Sequence, residues 1–211
     1  MNFPRYIAIE GPIGVGKTTL TRMLAERLGA KSVFEEFSDN PFLRDFYADR
    51  ERMAFQTQTY FLVARYKQQE ALRQHDLFAR GIVSDYLFAK DRIFAYLNLD
   101  EEELSLYEKI YELLRPRLVK PDLVVYLQAR PEVLLKRIKM RGRDMESPID
   151  SAYLERLMRA YNQFFFHYEE TPLLVVETSD IDFKADRLQL DSMVEQIRRA
   201  KAGTLYFVPQ A

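Results

Sequence analysis

The stretch "RYIAIEGPIGVGKTTLTRMLAERLG", residues 5–29, runs through an apolar strand, a glycine loop and an amphipathic helix in immediate succession. Its centre fits the pattern G-x-x-x-x-G-K-[ST], with Gly11, Gly16, Lys17 and Thr18 at the fixed places. Glycines, Gly14 among them, let the backbone curl into a concave nest whose N–H groups point at phosphate oxygens. The N-terminus of the following helix adds positive potential. Lys17 then reaches the β- and γ-phosphates, the Thr18 hydroxyl ligates Mg²⁺, and Thr19 belongs to the same nucleotide-contacting set. The expected ligand is a nucleoside triphosphate with Mg²⁺. The loop alone leaves kinases, GTPases, ATPases and motors open.

The remaining sequence sets the frame around this loop. A chain of 211 residues is most simply one domain, 1–211, with room for a substantial core. Lys plus Arg number 31 against 32 Asp plus Glu, so no bulk charge recruits nucleic acid or an anionic membrane. No segment approaches the roughly 18 uncharged apolar residues of a membrane span. "MNFPRYIAIE" shows no charged-then-apolar signal segment, and a cytoplasmic protein is expected. The absence of cysteine excludes disulfides, thiolate zinc sites and a cysteine nucleophile. His75 and His167 are too few for a multi-histidine metal site, and surface or helix-packing roles are expected for both.

Short β-branched runs at 5–10, 32–36, 81–85, 122–127 and 173–177 read as strands of a parallel sheet covered on both faces. Helical stretches at about 40–80, 87–118, 131–141, 150–170 and 186–201 alternate with them. The expectation is an α/β fold with a doubly wound, five-stranded parallel sheet, a P-loop NTPase whose ligands lie at the carboxyl ends of the strands. Glu35, Glu36 and Asp85 fall on that rim.

Three constellations narrow the chemistry. Asp85 could hold Mg²⁺, directly or through water, or could cap the next helix. Glu35 or Glu36 could accept a proton from an attacking hydroxyl. In "RIKMRGRDMES" (137–147), Arg137 and Arg141 lie four apart and Arg143 follows Gly142. Forked guanidinium donors at that place suit a lid closing over a migrating phosphoryl group, and they equally suit a solvated helix end. In the helix over 53–69, Gln58 and Arg65 stand two turns apart with Phe61 and Leu62 between them. That face could read the edge of a flat heterocycle, or be an ordinary amphipathic surface.

Taken together, these residues resemble the deoxynucleoside kinase family, the deoxycytidine and deoxyguanosine kinase group with its bacterial deoxyadenosine relatives. The resemblance runs from about residue 5 to about 185. It implies a nucleoside kinase-like fold with an arginine lid, Glu35 as base for the substrate 5′-hydroxyl, and Gln58 with Arg65 on the base. Tyr47, eleven residues before Gln58, is implied at the sugar 3′-hydroxyl with Glu146 of "RGRDME". Arg137, Arg141 and Arg143 are implied phosphate ligands, and "SDIDFK" (179–184), with Asp182, is similar to the segment bordering the ATP adenine. The acidic motif "DYLFAKDR" keeps Asp85 and, six residues on, Asp91-Arg92. Tyr86 stands where the family usually has an arginine, which removes a phosphate-facing guanidinium.

The resemblance implies ATP-dependent 5′-phosphorylation of a deoxyribonucleoside for salvage, in a homodimer with no nucleic-acid or membrane partner. An Arg65–Asp91 pair would favour bases with an exocyclic amino group: deoxyadenosine, deoxyguanosine or deoxycytidine, purines foremost. Two alternatives are a thymidylate-type monophosphate kinase and a non-catalytic nucleotide-binding subunit of the same fold. A GTPase is disfavoured because no Asn-Lys-x-Asp sequence occurs. The tail "TLYFVPQA" (204–211) receives no role from sequence.

Overall fold

The computed structural model describes residues 3–36, 39–74, 81–143, 146, 149–181, 183 and 187–209. His75, Asp182 and the lid positions Asp144, Met145 and Ser147 lie outside these described residues. One parallel sheet forms the centre, in the order β2-β3-β1-β4-β5-β6. Its strands are β1 (Tyr6–Glu10), β2 (Lys31–Val33), β3 (Ile82–Ser84), β4 (Leu123–Gln128), β5 (Leu173–Glu177) and β6 (Thr204–Phe207). All five residues of β1 and the first five of β4 are buried, which is why both read as unbroken apolar runs.

The helices are α1 (Lys17–Leu28), α2 (Leu43–Ala48), α3 (Arg50–Gln74), α4 (Lys90–Asn98), α5 (Glu101–Leu114), α6 (Pro131–Arg141), α7 (Ser151–Phe166) and α8 (Arg187–Arg199). Two expected helical stretches are each divided. The first breaks at Asp49, whose extended backbone (φ −144°, ψ 90°) separates α2 from α3. The second breaks at Leu99, and Asp100 then caps α5 reciprocally with Glu103.

The sheet has six strands rather than the expected five. The tail supplies the sixth, pairing Thr204–Phe207 with Leu173–Val176 in parallel register. The main core packs both sheet faces against α1, α6, α7 and α8, while a second cluster of Leu62, Phe88, Ala95, Tyr107 and Tyr111 joins α3, α4 and α5. Strand order reverses direction about β1, so the crevice at the carboxyl ends of β1, β3 and β4 is where this fold receives ligands. Among the described residues no helix is long and apolar enough to cross a membrane.

Candidate active site

The glycine loop between β1 and α1 is held against its neighbours so closely that two of its glycines have no room for a side chain. A Cβ on Gly11 (φ 152°) would lie 2.5 Å from the Leu127 carbonyl oxygen. On Gly14 (φ 85°) it would meet Ile138 Cγ1 at 2.8 Å and the Leu134 oxygen at 2.9 Å. The loop is thereby wedged between β4 and α6. Lys17 Nζ donates back to the loop carbonyls of Gly11 (2.6 Å) and Pro12 (3.2 Å). Burial brings the lysine down to about 8, with the Glu10 charge opposing and the Lys90 charge reinforcing that fall.

Glu10, which the sequence reading passed over, is wholly buried where β1 ends. It accepts from the Gly11 N–H (2.8 Å), the Leu87 N–H (2.8 Å) and the Tyr161 hydroxyl (3.1 Å). A glutamate closing an apolar strand gives no sign in sequence that two distant segments converge on it.

Thr18 Oγ1 donates to Asp85 Oδ2 at 2.7 Å, and the Glu35 backbone N–H donates to the other oxygen, Oδ1, at 2.7 Å. Asp85 therefore joins the phosphate loop to the end of β2. A threonine hydroxyl and a carboxylate touching each other beside a phosphate nest suit Mg²⁺, which takes one or two protein oxygens and fills its shell with phosphate and water. No group of three or more His, Cys, Asp or Glu that could hold a metal occurs among the described residues.

The Glu35 side chain is the centre of a buried ion cluster, whereas Glu36 is exposed. Arg65 Nε donates to Glu35 Oε1 at 2.8 Å, with Nη2 on the same oxygen, and Arg65 Nη1 pairs with Asp91. Lys90 Nζ donates to Glu35 Oε2 at 2.5 Å. Desolvation pushes the Glu35 carboxyl up, but the Arg65 and Lys90 charges outweigh it and hold the group well below the usual carboxylate range. Asp91 is fully buried, and the Arg65 guanidinium that faces it lies over the Phe61 ring, 4.7 Å from its centroid. Gln58, one face with Arg65, is buried in the same region. The expected Arg65–Asp91 pair is thus formed, and Lys90 is an addition the sequence reading missed.

Tyr86 makes no hydrogen bond to Glu35 among the described residues, though the Arg65 and Glu35 charges are both felt at its phenol. It is fully buried, its hydroxyl 3.5 Å from Gln69 Nε2 in a polar group that includes Tyr6 and Ser84.

The lid arginines are occupied. Arg141 reaches Glu146 Oε2 through Nε (3.2 Å) and Nη2 (2.5 Å), and Arg143 Nη1 reaches Oε1 at 3.4 Å. Glu146 is buried and holds both. Tyr47 lies near enough for the Glu146 charge to raise its phenol, after burial and Tyr153, but no hydrogen bond joins the two among the described residues. The expected Tyr47–Glu146 pair is replaced by the arginine pairs. Arg137 donates to the carbonyls of Val15 (3.3 Å), Thr178 (2.8 Å) and Ile181 (3.1 Å), tying α6 to the phosphate loop and to the start of the 179–184 segment. His167 is exposed at the end of α7, with its ring edge-on to Phe166.

The sequence and the fold are similar to those of known proteins. A family-wide sequence profile described as deoxynucleoside kinase matches residues 7–200. A deoxyguanosine kinase of Bacillus subtilis (strain 168) is 41% identical over 186 residues, 87% of this chain and 90% of the relative. A deoxyadenosine/deoxycytidine kinase of the same organism is 35% identical over 199 residues, 90% of each chain. Among solved structures, the deoxyadenosine kinase from M. mycoides with bound dATP superposes with a TM-score of 0.78 at 27% identity, over 92% of this chain and 99% of the other.

Proposed function

The chain belongs to the deoxynucleoside kinase family, and from that premise we propose that it transfers the γ-phosphoryl group of ATP to the 5′-hydroxyl of a deoxyribonucleoside, purines foremost and deoxycytidine second. One observation carries the reading. Asp85 accepts from Thr18 of the phosphate loop on one oxygen and from the Glu35 backbone on the other. The donor grip and the acceptor carboxylate are therefore neighbours on a single residue, the arrangement that in-line transfer needs.

The nest of Gly11, Gly14 and Gly16 presents N–H groups to the donor phosphates, and Lys17 leaves its loop carbonyls for them. Thr18 and Asp85 would hold Mg²⁺, which supplies charge neutralisation between the β- and γ-phosphates. Glu35 receives the 5′-hydroxyl. A carboxylate held this acidic accepts the proton only as the new O–P bond forms, so its first task is to aim the oxygen. Arg141 and Arg143 exchange Glu146 for the oxygens of the migrating group and exclude water as the lid closes. Glu146, released, becomes available to Tyr47 and the sugar 3′-hydroxyl.

Asp91 and Gln58 line the base side. A carboxylate held by Arg65 accepts from an exocyclic amino group, which adenine, guanine and cytosine have and thymine lacks. Salvage in the cytoplasm and a homodimer complete the proposal. Exposed Tyr96, Leu106 and Leu113 on α4 and α5 supply apolar surface for the second copy, which sedimentation would reveal.

The reading is tested by incubating the protein with ATP–Mg²⁺ and, separately, each of the four deoxynucleosides and their monophosphates. A 5′-monophosphate from deoxyguanosine, deoxyadenosine or deoxycytidine, with thymidine poor, is expected. Diphosphate made only from monophosphates would move the protein to the thymidylate-type class. Bound ATP with no product would favour the non-catalytic subunit.

A further inference from the structure

Lysine is seldom buried unless its ammonium is matched, and the Lys90 side chain is only 5% exposed. It occupies the first position of α4, where an ordinary sequence reading expects a solvated residue. Its ammonium has three donors. Among the described residues one of these is used, on Glu35 Oε2 at 2.5 Å. The positive charge is also felt at Lys17 of the phosphate loop, so Lys90 lies near the donor grip as well as on the acceptor carboxylate.

Four residues earlier, Tyr86 occupies the place of the motif arginine and is fully buried, its hydroxyl on Gln69 rather than on Glu35. The turn between them, closed by the Lys90 N–H on the Leu87 carbonyl at 3.0 Å, leads into α4 with position 90 on the Glu35 carboxylate. Arg65, the other cation on Glu35, is also engaged by Asp91 on the base side. Among the described residues Lys90 is consequently the cation on Glu35 that no second side chain engages.

We propose that Lys90 is the positioning residue of the acceptor side, holding Glu35 for the 5′-hydroxyl and presenting its unused donors to the phosphoryl group as it arrives, in place of the arginine that Tyr86 displaces. The inference rests on the kinase reading above. It assigns to a lysine one turn along the chain a task for which "DYLFAKDR" otherwise has no residue.

The test compares Lys90→Met, Lys90→Gln and Lys90→Arg with the unaltered protein, using ATP–Mg²⁺ and deoxyguanosine or deoxyadenosine, whichever is the better substrate. Removal of one preorganised donor or charge should lower kcat by about 100-fold in Lys90→Met. The KM for the nucleoside and for ATP should each stay within about threefold, because neither ground-state site includes Lys90. Lys90→Gln keeps a donor to Glu35 without the charge and should lose as much, which covers the case in which Lys90→Met does not fold. Lys90→Arg should recover at least about tenfold over Lys90→Met.

A merely structural lysine would give a different pattern: melting temperature falling with activity and kcat per folded molecule preserved. Either that pattern, or Lys90→Arg no better than Lys90→Met, overturns the proposal. Unaltered protein that forms no monophosphate from any deoxynucleoside would overturn the kinase reading itself, a result separable from an active enzyme indifferent to Lys90.

Discussion

At the scale of the residue, Glu35 joins stability to chemistry. Its folded-state acidity is strengthened by Arg65 and Lys90, so the stability it contributes is fully present above the ordinary glutamate value near 4.3 and is lost as pH falls below it. Glu35→Gln leaves two buried cations without their anion, which should cost about 3 kcal/mol at pH 7. Urea unfolding of the two proteins should show that gap shrinking between pH 7 and pH 3.5; a gap of constant size would contradict the assignment of charge. The same substitution should lower kcat by at least about 100-fold. On the base side, Asp91→Ala should raise KM for amino-bearing deoxynucleosides by roughly 10–100-fold while changing that for ATP by less than about threefold. Equal losses in both would remove the base-reading role. Arg65 and Asp91 were legible through the family resemblance; the spacing that puts Gln58 and Arg65 on one helical face left an ordinary amphipathic surface equally open. Lys90 and Glu10 were not, because a lone lysine at a helix start and a lone glutamate at a strand end look the same whether solvated or buried.

At the scale of the element, α6 and the phosphate loop form one packed unit. Gly14→Ala places a Cβ 2.8 Å from Ile138 at a positive φ, and α6 must shift to admit it. Strain of about 1–3 kcal/mol is expected, and for a chain of this size each kcal/mol moves Tm by roughly 2–4 °C. A melt of Gly14→Ala should therefore fall several degrees below that of Gly16→Ala, whose added Cβ meets open space and carries only the backbone penalty. Identical melts would show that the loop is not seated on α6. The periodicity of α1 and α6 announces both helices, and the Asp100–Glu103 capping box marks the start of α5 to an eye that looks for it. The division of α2 from α3 has no such sign, since Asp49 is ordinary in composition and only its extended backbone breaks the run. β6 was not legible either. Its four residues alternate, with Leu205 and Phe207 packed against the main core, but so short a run is a weak period-two signal and pairing with β5 decides it.

At the scale of the whole molecule, the site is a set of mutually satisfied charges. Lys17 rests on its loop carbonyls, and Arg141 and Arg143 rest on Glu146. ATP should exchange these partners rather than order a disordered wall, and saturation at 100 times Kd should stabilise the fold by about 2.7 kcal/mol. A thermal shift of roughly 5–10 °C is expected on adding ATP–Mg²⁺; Lys17→Ala should abolish most of it. The buried Glu10 adds something of a different kind. Its bonds to Leu87 and Tyr161 span 77 and 151 residues of chain, and the first glycine of the nest hangs from the same carboxylate. Contacts of that separation form only after long loops have closed. The nest acquires its shape at the end of folding, not when its own dozen residues come together. During refolding from urea, the far-UV helical signal should precede capture of a fluorescent ATP analogue. Nucleotide binding is thereby a report that the entire chain has arrived.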